Sequence, residues 1–345
     1  MKTPSNAYAF AVLCLQAADE GRGDVLFGES LARVQDSVAP FMLPGKFPGV
    51  YLEFPLIGDP FLDVTVLYQE IDSGLRIDSA AAEGTGAVLD WYAAARKEHE
   101  EISFGFELDT KEPQLPMAAI HFQPRSHIEL VEPFCRTIGE PDRAKLYFDT
   151  NQRLPESWSL SFFGMFRGRP RSPLRVCGYL DCDEVAACAA DPKRLRDVFE
   201  AVGFTAFDDA MIEQARAALG ASPGNEIDFQ FDVYPDGSLG DTFAFDIRFG
   251  IKQPEEVIES FENGVAGRAM RLLEDWGLAD ERWHLAPEAS FARAIPVERE
   301  DGSMGRYSFT LLPQWVKVRW KNGVLTPSKL YFLGSAGFLD DFTSN

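Results

Sequence analysis

Apolar and polar residues alternate with a period of two in paired runs along this chain, the pattern of strands with one buried face. In the first pair, Val50, Leu52 and Phe54 oppose Tyr51 and Glu53, and Val64 and Val66 oppose Asp63 and Thr65, with Gly58-Asp59-Pro60 as the turn. The second sets Ile102, Phe104, Phe106 and Leu108 against Ser103, Gly105 and Glu107. After a turn at 109–116, it sets Ala118, Ile120 and Phe122 against Ala119, His121 and Gln123. The third has Trp158, Leu160 and Phe162 against Ser159, Ser161 and Phe163, then Leu174, Val176 and Leu180 against Arg175, Cys177 and Tyr179. The fourth has Ile227, Phe229, Phe231 and Val233 against Asp228, Gln230, Asp232 and Tyr234. Its return strand sets Phe243, Phe245, Ile247 and Phe249 against Ala244, Asp246 and Arg248. The fifth places Val316, Val318 and Trp320 opposite Lys317, Arg319 and Lys321. Asn322-Gly323, suited to positive φ, begins the connection to Lys329–Gly334, where Leu330 and Phe332 share one face and Lys329, Tyr331 and Leu333 the other.

Helical patterns separate these pairs. They cover 5–18, 29–38, 85–98, 128–137, 141–151, 192–202 and 208–219, and a long amphipathic stretch from Pro254 to Trp276. Asp191-Pro192 and Asp208 are start signals; Gly203, Gly220 and Gly277 are stops. Lys145–Phe148 reads equally well as strand, and 278–304 reads as irregular. The phenylalanine-rich faces are core, and helices must cover them. The polar faces either look outward from an open sheet or inward around a wet cavity. Closure removes the sheet edges, and with helices outside it makes the interior a binding chamber. The expected fold is α+β: a closed ten-stranded antiparallel barrel of five hairpin repeats ringed by helices. The expected layout is one domain over 1–345, with N-terminal helices in 1–42, repeats in 43–335 and a tail at 336–345. The rival layout is two α+β domains divided near 185–225, with no lumen.

Composition narrows the partners. The 345 residues carry a net charge of −21, which argues against nucleic acid and anionic membranes. No run of about 18 apolar residues occurs, and the apolar segment Ala7–Leu15 reads as a surface helix rather than a signal peptide. The five cysteines, Cys14, Cys135, Cys177, Cys182 and Cys188, form no CxxC pair and fit a reducing cytoplasm. There is no GxSxG, P-loop, dinucleotide fingerprint or DDxxD run. His99, His127 and His284 have no partner at ligand spacing, and His121 is a candidate for catalysis or for a structural role.

In an acidic chain, the cations of the fifth hairpin stand out. With the fivefold repeat, Lys329-Leu330-Tyr331 and Arg175-Val176-Cys177-Gly178-Tyr179 give a pattern that resembles the α-β-β-α prenyltransferase barrel of soluble aromatic prenyltransferases. The resemblance spans roughly residues 40–335 and implies an allylic prenyl diphosphate donor and an aromatic or peptide acceptor in the lumen. It implies Arg175, Arg248, Lys317, Arg319 and Lys329 as diphosphate ligands, and Tyr179, Tyr234 and Tyr331 as the shield of the carbocation. Glu53, with Asp63 second, would orient or deprotonate the acceptor. No cofactor is required, or Mg²⁺ accompanies the diphosphate near Asp228, Asp232 and Asp246. Those aspartates depart from a simple anion socket: they bind Mg²⁺, pair with Arg248, or mean that the barrel holds something else. The alternative is a non-catalytic barrel or sheet that binds a peptide or amphipathic ligand, as an accessory in peptide modification. A monomer is expected. The basic turn at Arg167, Arg169 and Arg171 either gathers phosphate at the barrel mouth or is simply solvated.

Overall fold

The computed structural model describes residues 2–19, 21–110 and 118–342. The strands are β1 (Gly49–Pro55), β2 (Asp63–Tyr68), β3 (Ser103–Leu108), β4 (Ala119–Gln123), β5 (Trp158–Met165), β6 (Leu174–Leu180), β7 (Ile227–Val233), β8 (Leu239–Arg248), β9 (Phe291–Glu298), β10 (Met304–Lys321) and β11 (Val324–Phe338). Sequential neighbours pair antiparallel from β1 to β8, β8 pairs with β10, and β10 with β11. β11 returns to β1, with Val50 opposite Gly334 and Phe54 opposite Leu330. Ten strands thus close into a barrel, as the alternation predicts. The sheet also runs unbroken across 181–226, where β6 pairs with β7 (Cys177 opposite Gln230), so the two-domain layout does not occur.

The aliphatic and phenylalanine faces point outward beneath the helices. Val50, Leu52, Phe104, Phe122, Phe229, Phe245, Val318 and Phe332 all join one continuous buried core with helix residues such as Val88, Phe134, Phe199 and Met270. The barrel is held from outside. Packing between sheet and helices, not a filled interior, buries the apolar surface that favours folding.

Some local readings change. The long helix splits into Glu255–Glu262 and Val265–Asp275 at Asn263-Gly264. A Cβ at Gly264 would lie 2.8 Å from Ser260 Cα. Lys145–Phe148 is helical, within Asp142–Arg153. An additional helix, Cys182–Ala190, starts at Asp181, whose carboxylate caps Glu184 N at 2.8 Å. The irregular stretch contains β9, which lies outside the barrel and pairs with the first half of β10 (Tyr307 opposite Ile295). That extension and the N-terminal helix Asn6–Ala17 bury a second, smaller core of Ala9, Leu13, Val297, Tyr307 and Phe309. The expected tail begins too early, since β11 runs to Phe338 and a short helix follows to Phe342. Asn322 (φ 52°) and Gly323 (φ 75°) alone make the last turn, and β11 begins at Val324. The turn read at 109–116 falls mostly outside the described residues.

A bulge between Leu160 and Phe162 in β5 inverts one expected pair. Phe163 becomes the core residue, fully buried, and Phe162 turns toward the lumen. Among the described residues no helix is long and apolar enough to cross a membrane.

Candidate active site

In all five hairpins the first strand ends and the second begins at one end of the barrel, and the longer helical connections emerge at the other. The polar strand faces line a lumen of two chambers. The wider one, about 520 Å³, reaches the helical-connection end, where Gln69, Arg96, Glu100, Glu101 and Arg125 form its rim. The narrower, about 50 Å³, lies toward the hairpin turns. Glu53, Glu107, Arg175, Gln230, Lys317 and Tyr331 line both chambers and form the waist between them.

Cross-strand register builds the waist. Glu53 sits opposite Tyr331 on one side and Asp63 on the other. Its carboxylate is 4% exposed and accepts from Thr65 Oγ1 (3.1 Å), Lys329 Nζ (3.1 Å) and Tyr331 Oη (2.9 Å). Lys329 also bonds Asp63. Burial works against the Lys329 ammonium, but Glu53 and Asp63 together hold its pKa above the ordinary lysine range. Burial pushes the Asp63 carboxyl up to about 6, with Lys329 opposing. Glu53 and Asp63 thus share one cation.

Arg175 and Asp232 face each other across β6 and β7 and form a two-pronged pair, 2.8 and 3.3 Å. Glu107 accepts from His121 Nε2 (3.1 Å) and Arg169 Nη2 (3.0 Å). Burial favours its neutral form, yet these partners hold it well below the usual carboxylate range. His121 fits only because residue 164 is glycine: a Cβ there would come within 2.8 Å of the imidazole. Of the basic turn, Arg169 alone reaches the lumen. Arg167 pairs with Glu140 (2.9 Å), and Arg171 lies 3.4 Å above the Tyr234 ring.

Arg319 differs from the other lumen cations. Its Nε donates to Thr326 Oγ1 (2.8 Å), and no carboxylate pairs with it among the described residues. Burial and the nearby Arg175 and Arg169 charges lower its pKa. Lys317 is also weakly compensated, 3.3 Å from Gln230 Oε1, 3.8 Å from Asp246 Oδ1 and 4.9 Å above the Tyr331 ring.

Two expected groupings do not assemble. Arg248 lies outside the waist, two residues along β8 from Asp246: it lines the wide chamber half exposed toward its mouth, bidentate to Asp228 at 2.8 Å. The five cations therefore do not form one socket. Asp228, Asp232 and Asp246 do not converge as a metal site either. The first two are taken by arginines, Asp246 accepts from Gln230 Nε2 at 2.7 Å, and none belongs to a clustered set of potential ligands among the described residues. Of the tyrosines, Tyr331 faces the cavity, whereas Tyr179 is 39% exposed at the barrel end and Tyr234 lies past β7 beneath Arg171.

Other aromatics wall the wide chamber. Trp315 stacks on Tyr331 (centroids 5.1 Å, 18° between planes) and meets Tyr51 at 4.9 Å. Phe162 adds a fourth ring. Tyr51 and Trp315 were legible, being two residues from Glu53 and Lys317 on the same strand faces; Phe162 was hidden by the bulge. Trp315 Nε1 and Asp246 Oδ1 are buried without a hydrogen-bond partner among the described residues. Burial pushes the Asp246 carboxyl up to about 7, despite Lys317. Burial likewise raises the Cys177 thiol well above its usual range, which leaves it a poor nucleophile.

No protein-family model matches this sequence, and no curated protein matches it. Solved structures do. The 5-dimethylallyltryptophan synthase of Streptomyces coelicolor superposes with a TM-score of 0.52 at 14% identity, covering 96% of this chain and 97% of that one. The NotF prenyltransferase superposes at 0.51 with 11% identity, over 98% and 100%. A second NotF structure, in complex with brevianamide F and DMSPP, superposes at 0.50 with 11% identity, over 98% and 96%. These likenesses extend over nearly the whole of each chain and agree with the strand order and closure, so the chain has the prenyltransferase-barrel fold.

Proposed function

We propose that this barrel transfers an allylic prenyl group from its diphosphate to an aromatic or peptide side-chain acceptor held in the lumen. The observation that carries the reading is the arrangement about the waist: half-buried Arg319, without a carboxylate partner among the described residues, and weakly compensated Lys317, beside a Tyr51–Trp315–Tyr331 wall. A half-buried cation without a carboxylate partner, next to a weakly compensated one, calls for an anion. Fixed cations in a water-poor site lower the barrier to breaking the allylic C–O bond, because they stabilise the diphosphate that leaves with the electron pair. The carbocation so formed is held against π faces until an acceptor ring carbon attacks it, and Glu53 takes the proton that the ring releases. Asp246 Oδ1, buried and without a hydrogen-bond partner among the described residues, offers an acceptor N–H a hydrogen bond. The NotF complex, which holds brevianamide F and DMSPP, is consistent with a donor and an aromatic acceptor sharing one such barrel.

A second reading rests on a specific observation. The Arg175–Asp232, Arg248–Asp228 and Lys329–Glu53–Asp63 pairings neutralise three of the five cations expected to hold a diphosphate. That favours a non-catalytic barrel binding a peptide or amphipathic ligand. Thermal-shift titration with dimethylallyl, geranyl and farnesyl thiolodiphosphates, with and without Mg²⁺, separates the two. Transfer predicts saturable stabilisation by one of them. It also predicts acceptors, tryptophan or short tryptophan and tyrosine peptides, that gain the prenyl mass when the true diphosphate is supplied. No response to any donor would leave the binding reading standing.

A further inference from the structure

His99 and His127 lie 28 positions apart and have no mutual pattern in the sequence, yet the fold brings them together beside the mouth of the wide chamber. Their rings are 4.5 Å apart at 59°, and Glu129 Oε1 lies 3.2 Å from His127 Nδ1. One ligand atom from each of His99, His127 and Glu129 falls within 4.8 Å of the other two. Each histidine has a fixed backbone. The His99 N–H donates to Ala95 O at 3.0 Å at the end of the Gly86–Ala95 helix. The His127 N–H donates to Pro124 O (2.8 Å), and its carbonyl accepts from Leu130 N (3.0 Å). The imidazoles are partly buried and Glu129 is exposed.

We propose that His99, His127 and Glu129 form a surface site for a borderline transition-metal dication of the Zn²⁺ class. Two imidazoles and one carboxylate make a three-ligand set that leaves a fourth, solvent-facing position open. Bond lengths of about 2.0–2.2 Å require ligand atoms roughly 3.5 Å apart around a tetrahedral ion. Glu129 is already 3.2 Å from His127 Nδ1, and the donors, all within 4.8 Å of one another, need to close by about 1 Å, which takes rotation of the His99 imidazole as well as of the exposed Glu129 side chain. Imidazole nitrogen selects against Mg²⁺ and Ca²⁺, which prefer oxygen. The position gives the ion a structural consequence. Glu100 and Glu101, next to His99, and Arg125, two residues before His127, belong to the chamber rim. An ion here ties the segment entering β3 to the segment leaving β4, and so holds one arc of that rim. The site is independent of the reaction proposed above.

The test uses the full chain after chelator treatment, titrated with Co²⁺ and, against a chromophoric zinc indicator, with Zn²⁺. Expected are one ion per chain and weak cobalt d–d bands without the near-ultraviolet thiolate charge-transfer band that exposed Cys182 would contribute. His99→Ala and His127→Ala should each weaken Zn²⁺ at least tenfold, and His284→Ala should leave it unchanged. The proposal is overturned by no stoichiometric uptake, by a thiolate band, or by binding that survives the double substitution at 99 and 127. Because the spectrum is read on the unmodified protein, a variant that folds poorly does not protect the proposal.

Discussion

The two ends of the lumen are built on the same ten strands and are chemically opposed. Toward the hairpin turns, Arg169, Arg175, Lys317, Arg319 and Lys329 meet only Glu53, Glu107 and Asp232 in the chamber lining, with Asp63 behind Lys329. Toward the mouth, Asp228, Asp246, Glu100 and Glu101 are set against Arg96, Arg125 and Arg248, and the surface between them is aromatic. One end therefore suits an anion and the other an aromatic, hydrogen-bond-donating ligand. Strand order cannot account for this, because each strand crosses both ends. Two-residue steps along single strands do: Asp228 to Gln230 to Asp232, Asp246 to Ala244, Trp315 to Lys317 to Arg319. The polarity of the chamber is written along each strand, and function follows from where along its length a residue falls.

The comparison can be broken at several points. The largest effect is expected at the waist, where Glu53→Gln keeps the shape and removes the proton acceptor. Prenyl transfer should fall about 10²–10⁴-fold with donor affinity retained, checked by steady-state kinetics; a variant of full activity would remove Glu53 from the chemistry. Next comes Arg175→Ala, which strands Asp232 in a site 13% exposed. Urea denaturation should show a loss of about 3–5 kcal/mol, because a buried charge is left unpaired.

Arg319→Met tests the narrow end in the opposite sense. It deletes a cation repelled by Arg175 and Arg169, so stability should hold or rise. Affinity for a thiolodiphosphate, measured by calorimetry, should drop about tenfold or more, the value of a charge-assisted hydrogen bond. Equal affinity in the two proteins would place the anion elsewhere. The last test is a pH dependence at the mouth end. The folded-state pKa of Asp246 is raised from 3.8 to about 7, so between those values the folded chain holds a proton that the unfolded chain releases. Stability should therefore decline as pH rises from about 4 to 7, by up to about 1.4 kcal/mol for each pH step of one, and level off above. Asp246→Asn should gain on the parent across that window and match it near pH 4, as read from melting temperatures at fixed ionic strength. Parallel curves would mean that Asp246 stays ionised in the fold.

Alternation along the chain determined the ten strands and, at nearly every position, which face each side chain takes. A buried outer face tolerates no polar residue, and one slip of register would expose every phenylalanine. That is why Lys317, Arg319, Lys329, Tyr331 and Glu53 were legible as one lining. Local pattern did not reach three things. A bulge exchanged Phe162 with Phe163, because an extra residue in one strand is decided by its partner. Pairing of an aspartate with Arg248 was open in the sequence, but which aspartate it takes, and that Arg175 takes Asp232, depended on strands meeting in a given register. The meeting of His99 with His127 depended on two connections converging at one rim. Sequence periodicity records which side of a strand faces water, whereas the position along the barrel axis, and hence each side chain's partner, exists only once the sheet has closed.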